Sequence, residues 1–211
     1  MYMNCENTEN KKILTTPFRE EDIRSLRAGD VIYISGTMVT ARDDGHKRLV
    51  KNGIFPEIDL EGLALYHAGP IVCENDAGGY DMVSCGPTTS MRMEKFQADF
   101  IEKSGVRLIV GKGGMGEKTA EACRKYGAVH GVFPGGCAVV AAKCVEEITG
   151  VEWEDLGMPE ALWKFSVKEF GPIIVNIDTH GGNMIADNKK IFEERKTEQK
   201  KLLSEKLKDF H

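Results

Sequence analysis

What the chain lacks narrows its class before any motif is read. In 211 residues no apolar run approaches the roughly 20 residues that cross a bilayer. The opening MYMNCENTENKK has no apolar leader core, so a cytoplasmic location with no membrane partner is expected. Basic charge is not in excess. The 28 Lys and Arg against 33 Asp and Glu give a net charge of -5. A global positive field for nucleic acid is therefore absent, and only a local basic pocket remains open. Hydrophobic residues at 41% and charged residues at 29% are ordinary for a globular domain, which argues against wholesale disorder or a fibrous repeat. The six cysteines contain no CxxC pair, and Cys137 and Cys144 are too widely spaced for a zinc knuckle. They read as buried small apolar residues, and no metal ligand is assigned to this chain.

What is present reads as one α/β domain over residues 21–186, between a polar N-terminal arm (1–20) and a charged, helical C-terminal tail (187–211). DVIYISGTMVT is a β-rich run bent at Gly36, followed by a turn and a short helix that stops at Gly53. LALYHAGPIV reads as a strand with a bend at Gly69-Pro70. GPTTSMRMEKFQADFIEKSG reads as a turn feeding a helix, with Thr88, Thr89 and Ser90 offering N-cap oxygens and Phe96 and Phe100 at helical spacing. VRLIV, GEKTAEACRKYG and AVHGVF then form strand, helix and strand, a βαβ unit whose strands should be parallel. GGCAVVAAKCVEEITG is expected to be a small-residue helix, and PIIVNID a late strand.

Three segments offer chemistry. Gly111, Gly113 and Gly116 satisfy G-x-G-x-x-G between a predicted strand and a predicted helix. The next strand carries no acid for a ribose, and Glu117 stands where a Walker A loop needs Lys, so a nucleotide-binding module is the weaker reading. The loop suits a carboxylate or phosphate, with Lys112 adding charge beside a helix N-terminus; a plain tight turn is the alternative. In the second segment Arg92 lies four residues after Thr88 and shares its helical face, where it either grips a carboxylate or stands as a surface residue behind a capped turn. The third runs from Thr40 to Arg48. Arg42 points from a strand end, Asp43 is a helix cap, and His46 is either a proton carrier or a structural histidine. A pocket made from Arg42, Arg92 and Lys112 fits a small molecule with two carboxylates. It lacks a strong acid or Lewis acid, as half of an active site would.

These same segments, GTMVTARDDGHKRL, CGPTTSMRM and VGKGGM, resemble in that order the C-terminal part of class I fumarases and the β subunit of L-tartrate dehydratase, and FPGGCAVVAAKCV through PIIVNID fits the same family. The resemblance covers about residues 20 to 190. It implies a swivelling β/β/α domain of the class I fumarase C-terminal type, acting as one half of a hydro-lyase on a four-carbon dicarboxylate. The other half, a separate α subunit, would hold a [4Fe-4S] cluster through its own cysteines, in a hetero-oligomer such as α2β2. By motif, Arg42, Arg92 and Lys112 correspond to substrate-carboxylate binders and Thr88 to the proposed catalytic base, with Asp43, His46, Thr89, Gly111 and Gly113 in support. Fumarate and malate are the expected substrate pair, as the commonest family activity, and L-tartrate comes second. A non-catalytic scaffold subunit is the remaining alternative.

Overall fold

The computed structural model describes residues 11–208. The first ten residues of the expected arm and the last three of the tail lie outside it. Its organising element is β2 (Val31–Thr40), which has neighbours on both edges. On one edge it runs parallel to β1 (Lys12–Thr15) and then to β3 (Ala64–Tyr66). On the other it is antiparallel to β9 (Leu162–Ile177). From β3 the sheet continues in parallel through β6 (Leu108–Gly111) to β7 (Val129–Val132), and β7 pairs antiparallel with β9. The ring β2-β3-β6-β7-β9 therefore closes into a small barrel, with β1 and β8 (Val145–Glu152) extending it. A separate hairpin, β4 (Ile71–Glu74) and β5 (Tyr80–Ser84), lies outside the ring.

The period-2 alternation of the central strands divides the core in two. Ala64, Tyr66, Leu108 and Val110 face the barrel interior, where they meet Phe133, Phe165 and Phe170. Leu65 and Ile109 face outward onto helices α2 (Asp43–Val50), α3 (Glu94–Ser104) and α4 (Glu117–Tyr126), packing with Leu49, Phe100 and Cys123. The βαβ unit is as expected, with β6 and β7 parallel and α4 ended by Gly127 in the left-handed region. The bend in β2 is also present. Gly36 has φ +99, and a Cβ there would lie 2.6 Å from Thr16 Oγ1.

Four expectations change. Part of the expected arm, Lys12–Thr15, is the sheet strand β1. LALYHAGPIV is split between two sheets, because Pro70 lacks the N–H that a continuous ladder would use. GGCAVVAAKCVEEITG is helical only at α5 (Ala138–Lys143) and then becomes β8. Val145, Ile148 and Val151 all pack on the barrel, a spacing of three that reads as helix. Register shifts between Val145 and Glu147, and between Ile148 and Gly150, bring these residues to one face of a strand. The late strand begins at Leu162, well before PIIVNID. The tail is a helix, α6 (Met184–Lys208), starting just before the expected boundary, half-buried at Met184 and Ala186 and exposed from Asp187 to Glu205. Among the described residues no helix is long and apolar enough to cross a membrane.

Candidate functional site

Two of the three chemistry-bearing segments leave the C-terminal ends of the parallel strands β2 and β6, and the Thr88 segment, which follows β5, returns to the end of β3. Backbone hydrogen bonds lay two of them side by side. The Thr88 N–H donates to His67 O at 2.7 Å, the Lys112 N–H to Thr88 O at 3.0 Å, and the Ser90 N–H to Lys112 O at 3.0 Å. Thr88, Thr89 and Lys112 are thus held together like a fragment of ladder, with Thr89 and Lys112 bridged in parallel.

Arg92 follows in a 3-10 turn (Ser90–Met93). Its Nε and Nη2 donate to the two oxygens of Asp43 at 3.2 and 2.5 Å, a two-point grip that ties the first helix turn of α2 to the Thr88 loop. The third nitrogen, Nη1, faces Thr88 Oγ1 at 3.5 Å. Arg42 stands at the start of α2. Its Nε is 3.2 Å from Glu160 Oε1, but misaligned, which leaves that buried N–H without a hydrogen-bond partner. Burial raises the Glu160 carboxyl above its ordinary range, against the pull of the Asp44 N–H and Arg42. The guanidinium lies so close to Gly69 that a Cβ there would meet Arg42 Nη1 at 2.5 Å. Lys112 is exposed and its ammonium has no ion-pair partner among the described residues. The arrangement therefore presents cationic donors beside two threonine hydroxyls. A cavity of about 580 Å³ borders Arg92 and is also lined by Met91, Glu94, Lys95, Glu117 and Lys118.

Three expectations about these residues are corrected. The hydroxyls of Thr88, Thr89 and Ser90 do not cap the helix. Ser90 Oγ instead points inward, 3.0 Å from His67 Nδ1 and 3.2 Å from His130 Nε2. Asp43 does not cap α2 with its side chain, which serves Arg92. The N-terminus of α4 is not open to an anion, because Glu94 already occupies it. The Gly116 N–H donates to Glu94 Oε2 at 2.7 Å and the Thr119 hydroxyl at 2.6 Å. Gly111 makes room for Ser90: a Cβ there would lie 2.0 Å from Ser90 Oγ. Gly113, at φ +78, turns the chain after Lys112.

His46 is fully buried, 2.7 Å from Arg42 O through Nδ1 and 3.0 Å from Gln97 Oε1 through Nε2. Burial pushes its pKa down to about 4, so it is neutral at neutral pH and, with one ring N–H, donates to only one of these two oxygens. Glu160, Gln97, His67, Ser90 and His130 went unassigned as supporting residues. The available signal was weak: a histidine directly after the apolar LALY, just past β3, and another inside AVHGVF, in β7.

The described cysteines do not converge. Cys85 and Cys123 are buried, Cys73 is exposed, and no three His, Cys, Asp or Glu side chains among the described residues could hold a metal ion. These residues do not fit an iron–sulfur cluster.

Comparison with known proteins places the chain. The family model for the fumarase C-terminus matches residues 2–188. The L(+)-tartrate dehydratase subunit beta of Escherichia coli (strain K12) is 59% identical over 186 residues, covering 88% of this chain and 92% of the relative. A putative L(+)-tartrate dehydratase subunit beta of Methanocaldococcus jannaschii is 40% identical over 181 residues, covering 82% of this chain and 91% of the relative. A putative class I fumarate hydratase of Geobacillus stearothermophilus is also 40% identical, over 177 residues, and these are 84% of this chain but 34% of that longer relative.

Proposed function

The chain belongs to the fumarase C-terminus family, and from that premise we propose that it is the β subunit of a two-subunit hydro-lyase whose substrate is L-tartrate. The observation that carries this reading is the 59% identity to an L(+)-tartrate dehydratase β subunit over 92% of that protein. It reverses the order of substrates expected from the commonest family activity, since the class I fumarate hydratase relative stands at 40%. Fumarate is the second reading.

Removing water from a 2-hydroxydicarboxylate requires three things: two carboxylates held, a carbon-bound proton taken, and a hydroxyl expelled from the neighbouring carbon. Arg42, Arg92 and Lys112 are assigned the first task. The misaligned Arg42 Nε and the unpaired Lys112 ammonium are donors short of an acceptor. Arg92 turns Nη1 toward Thr88 Oγ1, on the substrate side, while Asp43 holds its other edge. Thr88 is assigned the proton. A threonine hydroxyl is a weak base, and the Arg92 guanidinium beside Oγ1 is the group that would stabilise its alkoxide. Thr89, Gly111 and Gly113 shape the loops that carry these groups. The third task falls to the α subunit. The family's [4Fe-4S] cluster is assigned there, because the described residues of this chain have no cradle for it. The closed barrel with helices on its outer face supports reading this chain as the swivelling β/β/α domain that carries its loops toward that subunit. A cytoplasmic α2β2 assembly completes the reading.

The test is anaerobic assay of this chain alone, and co-purified with its α subunit, on L-tartrate and on fumarate. Activity is expected only in the pair, with kcat/KM for L-tartrate higher by about tenfold or more. A pair that hydrates fumarate faster than it dehydrates L-tartrate would reverse the substrate assignment. Full activity after Arg42, Arg92 and Lys112 are all replaced by Ala would leave only a scaffold role.

A further inference from the structure

Beneath the loops lies a line of buried polar side chains. His46 contacts Gln97 Oε1 at 3.0 Å, and His67 contacts the same oxygen at 2.9 Å. His67 reaches Ser90 Oγ at 3.0 Å, Ser90 reaches His130 at 3.2 Å, and His130 Nδ1 lies 3.4 Å from Asn176 Nδ2. All six side chains are fully buried. They follow the order of the sheet: His46 on the helix after β2, His67 just after β3, Ser90 over Gly111 of β6, His130 in β7 and Asn176 in β9.

Three of the six are one hydrogen bond from a residue of the site. His46 holds the Arg42 carbonyl, His67 O accepts the Thr88 N–H, and the Ser90 N–H donates to Lys112 O. Apolar side chains would fill this layer with less risk, because a buried polar group that loses its partner is costly. Hydrogen bonds provide what dispersion contacts do not, a fixed distance and direction. Gly111 is part of the same device, since any side chain there would displace Ser90 Oγ from between the two imidazoles.

We propose that Ser90, clamped between His67 and His130, is a positioning residue that sets the Thr88–Arg92 loop and Lys112 at the spacing the substrate needs. The proposal rests on the reading of those loops as the dicarboxylate site. The three imidazoles are held neutral by burial, which suits a fixed strut rather than a proton donor.

His130 is the position to change, since it touches none of the assigned substrate binders. The α–β complex would be prepared with His130→Leu, which removes the bond to Ser90, and His130→Gln, whose amide reaches the place of Nε2. Two readouts apply, kinetics on L-tartrate and amide hydrogen exchange. We expect His130→Leu to lower kcat/KM by about 30-fold and His130→Gln to recover most of it, because misplacement by about an ångström costs about that much or more. Exchange at the Thr88, Ser90 and Lys112 amides should quicken in His130→Leu while α4 is unchanged. A merely structural role would instead speed exchange across the sheet and would show no rescue by Gln. Unchanged or uniformly faster exchange overturns the proposal, as does an active complex in which His130→Leu stays within about twofold of the parent. If Leu blocks folding, Ser90→Ala takes its place with the same two readouts. A parent complex that turns over neither acid sinks the substrate reading alone. The exchange pattern then decides this inference, localised quickening supporting it and any other pattern overturning it.

Discussion

The two faces of the sheet are filled by different chemistry. The barrel interior is apolar and aromatic: Phe133 stacks on Phe170 with centroids 4.9 Å apart, and Tyr66 meets Phe170 edge-on at 5.2 Å. The layer under α2 and α3 has apolar packing as well, but through it runs the buried row from His46 to Asn176. Both faces exclude water. The interior needs only volume and shape, and tolerates some rearrangement. The polar row needs every partner in place, and it lies where strand ends become loops. Both faces bury an apolar cluster, and the polar row adds fixed geometry to one of them.

The largest test of that division is in the barrel. Phe170→Ala should cost about 3–5 kcal/mol of unfolding free energy, read by urea denaturation, while KM for L-tartrate barely moves. A KM raised as much as the stability is lowered would erase the distinction between the faces. Acid should act on the other face. The unfolded chain takes up protons below pH 6.5, whereas burial holds His46 neutral down to about 4. Its contribution is therefore complete above pH 6.5 and is lost as the pH falls from 6.5 through 4, by about 3 kcal/mol for this residue. Thermal melts across that window measure it, and His46→Phe should flatten the slope.

Arg92→Ala comes next. It removes the grip on Asp43 and the donor beside Thr88, and should lower kcat/KM of the α–β complex by about 100-fold with little change in melting temperature. Arg92→Lys should recover little of this, because an ammonium cannot reproduce the fork on Asp43. The smallest effect is expected at Glu94. Glu94→Gln weakens the anionic cap on α4 and should cost about 1 kcal/mol without altering KM. If that variant gained millimolar phosphate or nucleotide binding in calorimetry, the α4 terminus would be a latent anion site after all.

Much of the fold is legible in local pattern. Alternation marks Leu108–Gly111 and Val129–Val132 as strands, and Gly105 and Gly127 end α3 and α4 in the left-handed conformation that glycine adopts readily. That Thr88, Arg92 and Lys112 come together was legible too, because Thr88 and Arg92 stand four residues apart and Lys112 lies beside glycines. β8 was not, since its register shifts give a strand the apolar spacing of a helix. Nor was the occupant of the α4 N-terminus, for Glu94 comes from another helix.

By itself the sequence determined which segments would be strands and helices over most of the central domain. It also determined which residue types gather at the strand ends, because short-range periodicity, turn residues and motif spacing are written in neighbouring positions. Only the tertiary structure decided that the sheet closes through β2 and β9, that Glu160 faces Arg42, and that Ser90 turns inward between two histidines. Those outcomes depend on partners far apart in the chain, and their geometry is set by packing that exists only once the barrel has closed.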